Sequence, residues 1–228
     1  MSITDQLSFN LSVDSASKSY GEHDFVTMQE HQEAYDLLTR FFAQEDYSSS
    51  ILNSLILIGE SFSGKTHLLN IFAQKHGFKI YSCAEVRAAE ISSLFSSNRF
   101  LVIDDADALG DDNLLFHIYN LALENGVFLL LSLQNIEVFA LKDLVSRLRN
   151  IVRAEIKNPD VDMVKILLSK GFSQRQLKID GKIIDFLAVN IPRKYCEIEK
   201  VVKKVEKFCF ENKKTISLGD VKGIVQFA

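Results

Sequence analysis

The 228-residue chain has little of what staples or stiffens a small fold. Its three cysteines, Cys83, Cys196 and Cys209, are odd in number and lack metal-ligand spacing. A reducing, cytoplasmic compartment is therefore expected, not a disulfide framework. Two prolines and ten glycines exclude a collagen-like chain. No segment approaches the roughly 18 unbroken apolar residues of a membrane span. The longest apolar run covers residues 127–131 and suits a buried strand. Residues 1–17 are polar, with no basic start and no apolar stretch, so they do not read as a secretory signal.

What is present is globular. Hydrophobic residues make up 47% of the chain and charged residues 25%, which excludes wholesale disorder and a coiled-coil rod. The length allows one large domain or two small ones, with a core that needs no staples. The net charge of −4 is uneven: residues 142–228 hold 19 Lys+Arg against 11 Asp+Glu, or +8, and residues 1–141 hold 7 against 19, or −12. Such asymmetry fits two subdomains and either a basic contact surface or a solvated lysine face.

Residues 1–19 read as a flexible leader in which Leu7, Phe9 and Leu11 alternate with polar residues. Near-helical apolar spacing predicts a helix over 27–43. Strands are then expected at 55–58, 79–82, 100–103, 127–133 and 151–156, alternating with helices at 64–74, 84–95, 113–124 and 141–148. Alternation of this kind predicts an α/β fold with a central parallel five-stranded sheet. Pro159 marks a break. Beyond it only helices are expected, at 161–169, 182–190, 194–210 and 218–225. The predicted organisation is a leader (1–19), an α/β domain (20–158) and a small all-helical subdomain (159–228).

After the first strand comes Gly59-Glu60-Ser61-Phe62-Ser63-Gly64-Lys65-Thr66, a G-x-x-x-x-G-K-[ST] phosphate loop with a strand before it and a helix after it. Backbone N–H groups of such a loop and the helix N-terminus converge on one anion. Gly59, Ser61, Ser63, Gly64 and His67 are the expected lining. Lys65 is expected to reach the β- and γ-phosphates of ATP or ADP, and Thr66 to ligate Mg²⁺. A second apolar strand delivers Asp104 and Asp105 at its carboxyl end, where ligands sit in open α/β sheets. Asp104 is the expected Mg²⁺ partner and Asp105 the group that polarises an attacking water. Asp107 is expected to cap a helix. Ser132 closes the 127–131 run, either as a plain strand end or as a hydrogen-bonding partner of that water or of the γ-phosphate.

Two arginines stand out. Arg147, in Ser146-Arg147-Leu148, is either a surface salt-bridge residue or a finger that stabilises phosphoryl charge in trans. Arg193 follows Pro192, which is expected to open the long helix and to place Arg193 in its first turn. From there it could fold back over a bound nucleotide.

Taken together, Gly64 to Leu69, Ile103 to Asp107, Ser146-Arg147-Leu148 and Pro192-Arg193 occur in the order and spacing of bacterial DnaA-type AAA+ ATPases, which the chain resembles over roughly residues 20–210. Asp24-Phe25-Val26 with Glu33-Ala34-Tyr35 looks like that family's adenine-side motif, with His31 where the family usually has asparagine. The resemblance implies a P-loop AAA+ core followed by a helical lid. It also implies that Arg193 is the lid arginine called sensor 2. The chain stops where an initiator would continue into a DNA-binding domain, and so looks like the Hda branch of regulators. That branch implies binding to the DNA polymerase III sliding clamp (beta subunit) through Gln6, Leu7, Phe9 and Leu11. It further implies an Arg147 finger acting on ATP held by the DnaA initiator, and contact with DNA mainly through the clamp. No membrane partner is implied, and a homo-oligomer is compatible with this reading. Phe62 stands where the family's loop usually has glycine, and Ser132-Leu133 replaces its Thr-Ser-like pair. Phe62 predicts a reshaped loop, and both departures predict weak intrinsic hydrolysis. The alternative is an autonomous ATPase acting on DNA as a helicase loader or motor. A small-molecule kinase would need a lid arginine after the third strand, and residues 104–113 contain none.

Overall fold

A computed structural model of the chain describes residues 29–47, 52–95, 98–212 and 215–225. Five strands, β1 (Ser54–Ile58), β2 (Ile80–Tyr81), β3 (Phe100–Ile103), β4 (Phe128–Leu133) and β5 (Val152–Glu155), form one sheet in the order β2-β3-β4-β1-β5. All four pairings are parallel. Helices α1 (Gln29–Phe42), α2 (Lys65–His76), α3 (Cys83–Ala88), α4 (Asp112–Glu124) and α5 (Lys142–Arg149) surround it.

The all-apolar strands divide by the two-residue period of a pleat. Ile56, Leu101, Ile103, Leu129 and Leu131 pack with α4 and α5 on one face. Leu55, Leu57, Phe100, Val102, Phe128 and Leu130 pack with α1 and α2 on the other. Burial on both faces is why these strands carry no polar alternation. The second face is rich in aromatic contacts, with Phe42 stacked on Phe78 at 4.4 Å and Phe100 on Phe128 at 5.2 Å. The edge strand β5 buries Ala154 and leaves Val152, Arg153 and Glu155 exposed.

The expected helix at 84–95 is broken. Helix α3 ends at Ala88, Ala89 and Glu90 are extended, and a 3-10 turn covers Ile91–Leu94. Ser92 and Ser93 hydroxyls bond the side chain and carbonyl of Glu90, local bonds that compete with a continuing helix.

Asp160 caps α6 (Val161–Gln174) by accepting from the Met163 N–H at 2.7 Å. Three more helices follow, α7 (Gly181–Asn190), α8 (Tyr195–Asn212) and α9 (Leu218–Ile224). They share a third apolar cluster around Leu168, Leu187, Val202 and Val205. Tyr195, the first residue of α8, is an exception. It packs in the sheet's second cluster, and its hydroxyl donates to the Lys157 carbonyl at 3.1 Å, so the helical group is fastened to the sheet at the start of α8.

Candidate functional site

The loop joining β1 to α2 is shaped by close approach. Any Cβ at Gly59 would lie 2.7 Å from Ser63 Oγ and 3.2 Å from Ile156 Cβ. Gly64 sits at φ +92°, a region glycine enters freely. Gly64 offers α2 no side-chain cap, and the first turn of α2 carries no acidic residue. The N–H groups that open α2 therefore have no side-chain cap from Gly64 and stand at the positive end of the helix dipole, the arrangement that binds an anion.

Lys65 is 5% exposed. Its ammonium donates to the carbonyls of Gly59 at 3.0 Å and Glu60 at 3.3 Å and lies 3.6 Å from Asp105. Thr66 Oγ1 donates to Asp104 Oδ2 at 2.6 Å. Strand order completes the group. Because β4 lies between β1 and β3, with Ser132 opposite Leu57 and Leu131 opposite Ile103, Ser132 is set between the loop and Asp104. Fully buried, Ser132 Oγ donates to Asp104 Oδ1 and accepts the Asp105 N–H at 2.9 Å. Its role in this structure is to fix the two aspartates.

Asp105 adopts φ +49°, tolerable for a short polar side chain. Burial first, and the neighbouring Asp104 carboxylate second, raise its pKa, with Lys65 pulling it back. Cys83 donates to the Asp105 carbonyl at 3.1 Å, and burial raises the pKa of this thiol. Asp107 caps no α-helix. It accepts the Gln134 N–H at 2.9 Å, tying the turn after β3 to the end of β4, and Asp111 caps α4 instead.

Phe62 corrects one expectation. The bulky residue does not refuse the backbone geometry glycine would take: it sits at φ +66° with its side chain 63% exposed. Strain of about 1–2 kcal/mol is the expected cost.

Arg193 corrects another. Helix α7 ends in extended Ile191, the conformation favoured before proline. The Lys194 N–H bonds the Pro192 carbonyl at 2.8 Å, and α8 starts only at Tyr195. Arg193 thus lies in the turn ahead of the helix, exposed, with no ion pair among the described residues.

Ser61 and His67 are half-buried, and Ser63 is buried. Arg147 is exposed in the last turn of α5, its guanidinium 5.3 Å and 5.7 Å from the rings of Phe116 and Tyr119. Arg149 is engaged elsewhere, donating to both carboxylate oxygens of Glu137 at 2.9 and 3.0 Å. Gln6, Leu7, Phe9, Leu11 and the 24–26 motif lie outside the described residues.

His31, which stands in the adenine-side motif where the family usually has asparagine, also supports the phosphate loop. It is 3% exposed, and its Nε2 lies 3.3 Å from the Ser63 carbonyl. A carbonyl only accepts, so this nitrogen carries the proton. A buried histidine on an otherwise apolar helix face was the available signal.

The donor set fits a nucleotide: a buried lysine held only by carbonyls and one aspartate, beside a helix start without acidic residues. For a divalent cation the chain supplies Thr66 and Asp104. Among the described residues no cluster of three or more His, Cys, Asp or Glu could hold a metal by itself. That suits Mg²⁺, which keeps waters and shares phosphate oxygens. Among the described residues no helix is long and apolar enough to cross a membrane.

No protein-family profile matches the chain. It is 26% identical over 187 residues to the chromosomal replication initiator protein DnaA of Bacteroides fragilis, covering 69% of this chain and 38% of that protein. To the DnaA of Helicobacter hepaticus it is 24% identical over 223 residues, 87% of this chain and 48% of that protein. The chain thus spans less than half the length of these curated relatives. Among solved structures, domain III of the Thermotoga maritima replication initiation protein DnaA aligns with a TM-score of 0.67 at 20% identity, covering 92% of this chain and 96% of that one. A replication initiator DnaA bound to AMPPCP and single-stranded DNA aligns at 0.62 and 21% identity, covering 88% and 70%. Thermotoga maritima RuvB variants share the fold, one at 0.61. The fold is that of a P-loop AAA+ domain with a five-stranded parallel sheet and following helices, and the sequence is similar to that of DnaA-type AAA+ proteins.

Proposed function

We propose that this chain is a nucleotide-binding AAA+ regulator of bacterial replication initiation, of the Hda type, that acts on ATP held by a DnaA initiator while tethered to the sliding clamp. ATP or ADP would sit on the loop of residues 59–66, with Mg²⁺ held by Thr66 and Asp104. Bound nucleotide supplies the polyphosphate whose terminal anhydride AAA+ proteins hydrolyse. Lys65 would exchange its present carbonyl partners for phosphate oxygens. Ser132 keeps Asp104 and Asp105 in place, and Asp105 is the acceptor positioned to orient water. Arg193, free in its turn, is available to close over the phosphates. The matched DnaA structure bound to AMPPCP supports the nucleotide reading by analogy of fold.

The observation that carries the regulatory reading is the position of Arg147. Helix α5 returns the chain from the carboxyl end of β4 to the amino end of β5, where Val152 pairs with Leu55 at the opposite end of β1 from the loop. Arg147, in the last turn of α5, therefore lies toward the amino end of the sheet, whereas its own phosphate loop follows the carboxyl end of β1. With no ion pair among the described residues and its guanidinium near two aromatic rings, it suits a phosphate on another molecule. A finger acts on charge that grows in the transition state, so its loss slows chemistry more than assembly.

The test is DnaA-ATP hydrolysis with DNA-loaded clamp. Arg147→Ala is expected to keep clamp, nucleotide and DnaA binding and to lose at least about tenfold in stimulation, or ~1.4 kcal/mol of barrier. Arg149→Ala, which breaks only an exposed pair with Glu137, is expected to be milder. Full stimulation by Arg147→Ala, or brisk ATP hydrolysis by the wild type with DNA alone, would favour a motor or helicase loader instead.

A further inference from the structure

We infer that Phe62 and Lys203 form a latch between the phosphate loop and helix α8, so that the loop's backbone and the lid's position make one equilibrium. The contact itself is independent of any ligand. Its consequence, a lid that responds to what the loop binds, rests on the nucleotide reading above.

The starting point is a residue in the wrong conformation for its type. Phe62 occupies left-handed backbone at φ +66°, where a bulky residue is a genuine outlier. Its ring is 63% exposed, so burial in the core does not hold it there. Strained residues persist where the surroundings over-determine them. The ring meets the ammonium of Lys203, 5.6 Å from its centroid, within the range of a cation–π contact. Lys203 is itself steered from within the lid: Glu199 lies 3.5 Å from its ammonium and also receives Arg175, which follows α6, at 2.7 Å.

A second route joins the next loop residue to the same helix. The Ser63 carbonyl accepts from His31, whose ring lies 6.3 Å from that of Tyr195. Tyr195 opens α8 and is 3% exposed. Residues 195 and 203 are about 12 Å apart along the helix. Two consecutive loop residues are thus coupled to two separate turns of α8. Any rearrangement that draws Lys65 off the carbonyls of Gly59 and Glu60 moves the backbone that carries Phe62 and Ser63, and α8 must follow or let go. A glycine at position 62 would permit the same backbone but give the lid nothing to read.

Amide hydrogen exchange of the full chain without nucleotide, read over residues 195–205, tests the latch in wild type, Phe62→Gly, Lys203→Met and the double variant. Each single change is expected to speed exchange about two- to fivefold, the scale of an exposed cation–π pair, and the double variant no more than the larger single. Additive effects, or no effect of Phe62→Gly, would overturn the latch. Adding ADP is expected to slow exchange of α8 in wild type, whereas Lys203→Met still binds ADP by calorimetry, within the same roughly two- to fivefold of wild-type affinity that the coupling allows, and loses that slowing. Equal slowing in both would also count against it. If the wild type binds no ADP, the nucleotide reading fails, and the nucleotide-free cycle still decides the latch.

Discussion

Ser132 shows how much one hydroxyl can organise. It is fully buried and serves two aspartates at once, as donor to Asp104 and acceptor from the Asp105 N–H. Replacing it with alanine leaves a backbone donor and a carboxylate oxygen without that partner, at a cost of about 1–3 kcal/mol. Ser132→Ala is therefore expected to lower the urea midpoint without changing the slope of the transition, and an unchanged midpoint would show that the hydroxyl is dispensable. The sequence marks Ser132 as a polar residue ending an apolar run and a candidate partner of water or γ-phosphate, not as the partner of two aspartates. Which polar groups it meets depends on strand order, which no local pattern carries. Lys65 and Thr66, by contrast, are legible from the motif, because loop and following helix are contiguous in the chain, and Asp104 is legible as the carboxylate that ends an apolar strand.

At the scale of elements, caps decide where helices begin. Ser82 and Glu85 form a capping box on α3, with the Glu85 carboxylate accepting from the Ser82 N–H at 2.9 Å and from its hydroxyl at 2.8 Å. These bonds first, and Lys79 at 3.0 Å second, hold the Glu85 pKa down at about 2. A depressed carboxylate stabilises the fold above its unfolded-state pKa, and that contribution is lost as pH falls toward the folded value. For Glu85 the window runs from about pH 4.5 down to about 2. Glu85→Gln keeps a capping acceptor but not the charge. It should flatten the stability curve across that window, measured by urea unfolding at pH 7 and pH 2.5. An unchanged difference between the two pH values would refute the assignment. The box, written S-x-x-E, was readable in the sequence. The break after Ala88 was less so, because it follows from serine bonds to Glu90 that compete with the helix.

Across the whole molecule, residues 142–228 carry a surplus of eight basic charges, and ion pairs within the lid order part of that surface without removing the surplus. Lys165 pairs with Asp185, Arg175 with Glu199 and Glu206, Lys200 with Glu197, and Lys207 with Glu211. On the proposed reading, contact with DNA runs through the clamp and the leader. Gln6 with Leu7, Phe9 and Leu11 has the form of a short peptide that docks in an apolar groove. Deleting residues 1–12 is expected to reduce clamp binding by more than about a hundredfold, equivalent to ~2.8 kcal/mol, while ADP affinity stays the same. Retained clamp binding, measured by surface plasmon resonance, would remove the leader from the proposal.

The sequence alone determined the anion loop and its lysine, the paired aspartates after an apolar strand, and the five-strand α/β alternation followed by helices. Each of these is written in local order: a motif within eight residues, a two-residue pleat, a 3.6-residue turn. Only the tertiary structure decided that β4 lies between β1 and β3, and hence that Ser132 binds Asp104. It alone set Lys65 beside Asp105, put Phe62 in left-handed backbone against Lys203, and moved Arg193 ahead of α8. These are contacts between residues 27 to 141 positions apart, fixed by the packing of both sheet faces together and not by any stretch of sequence read by itself.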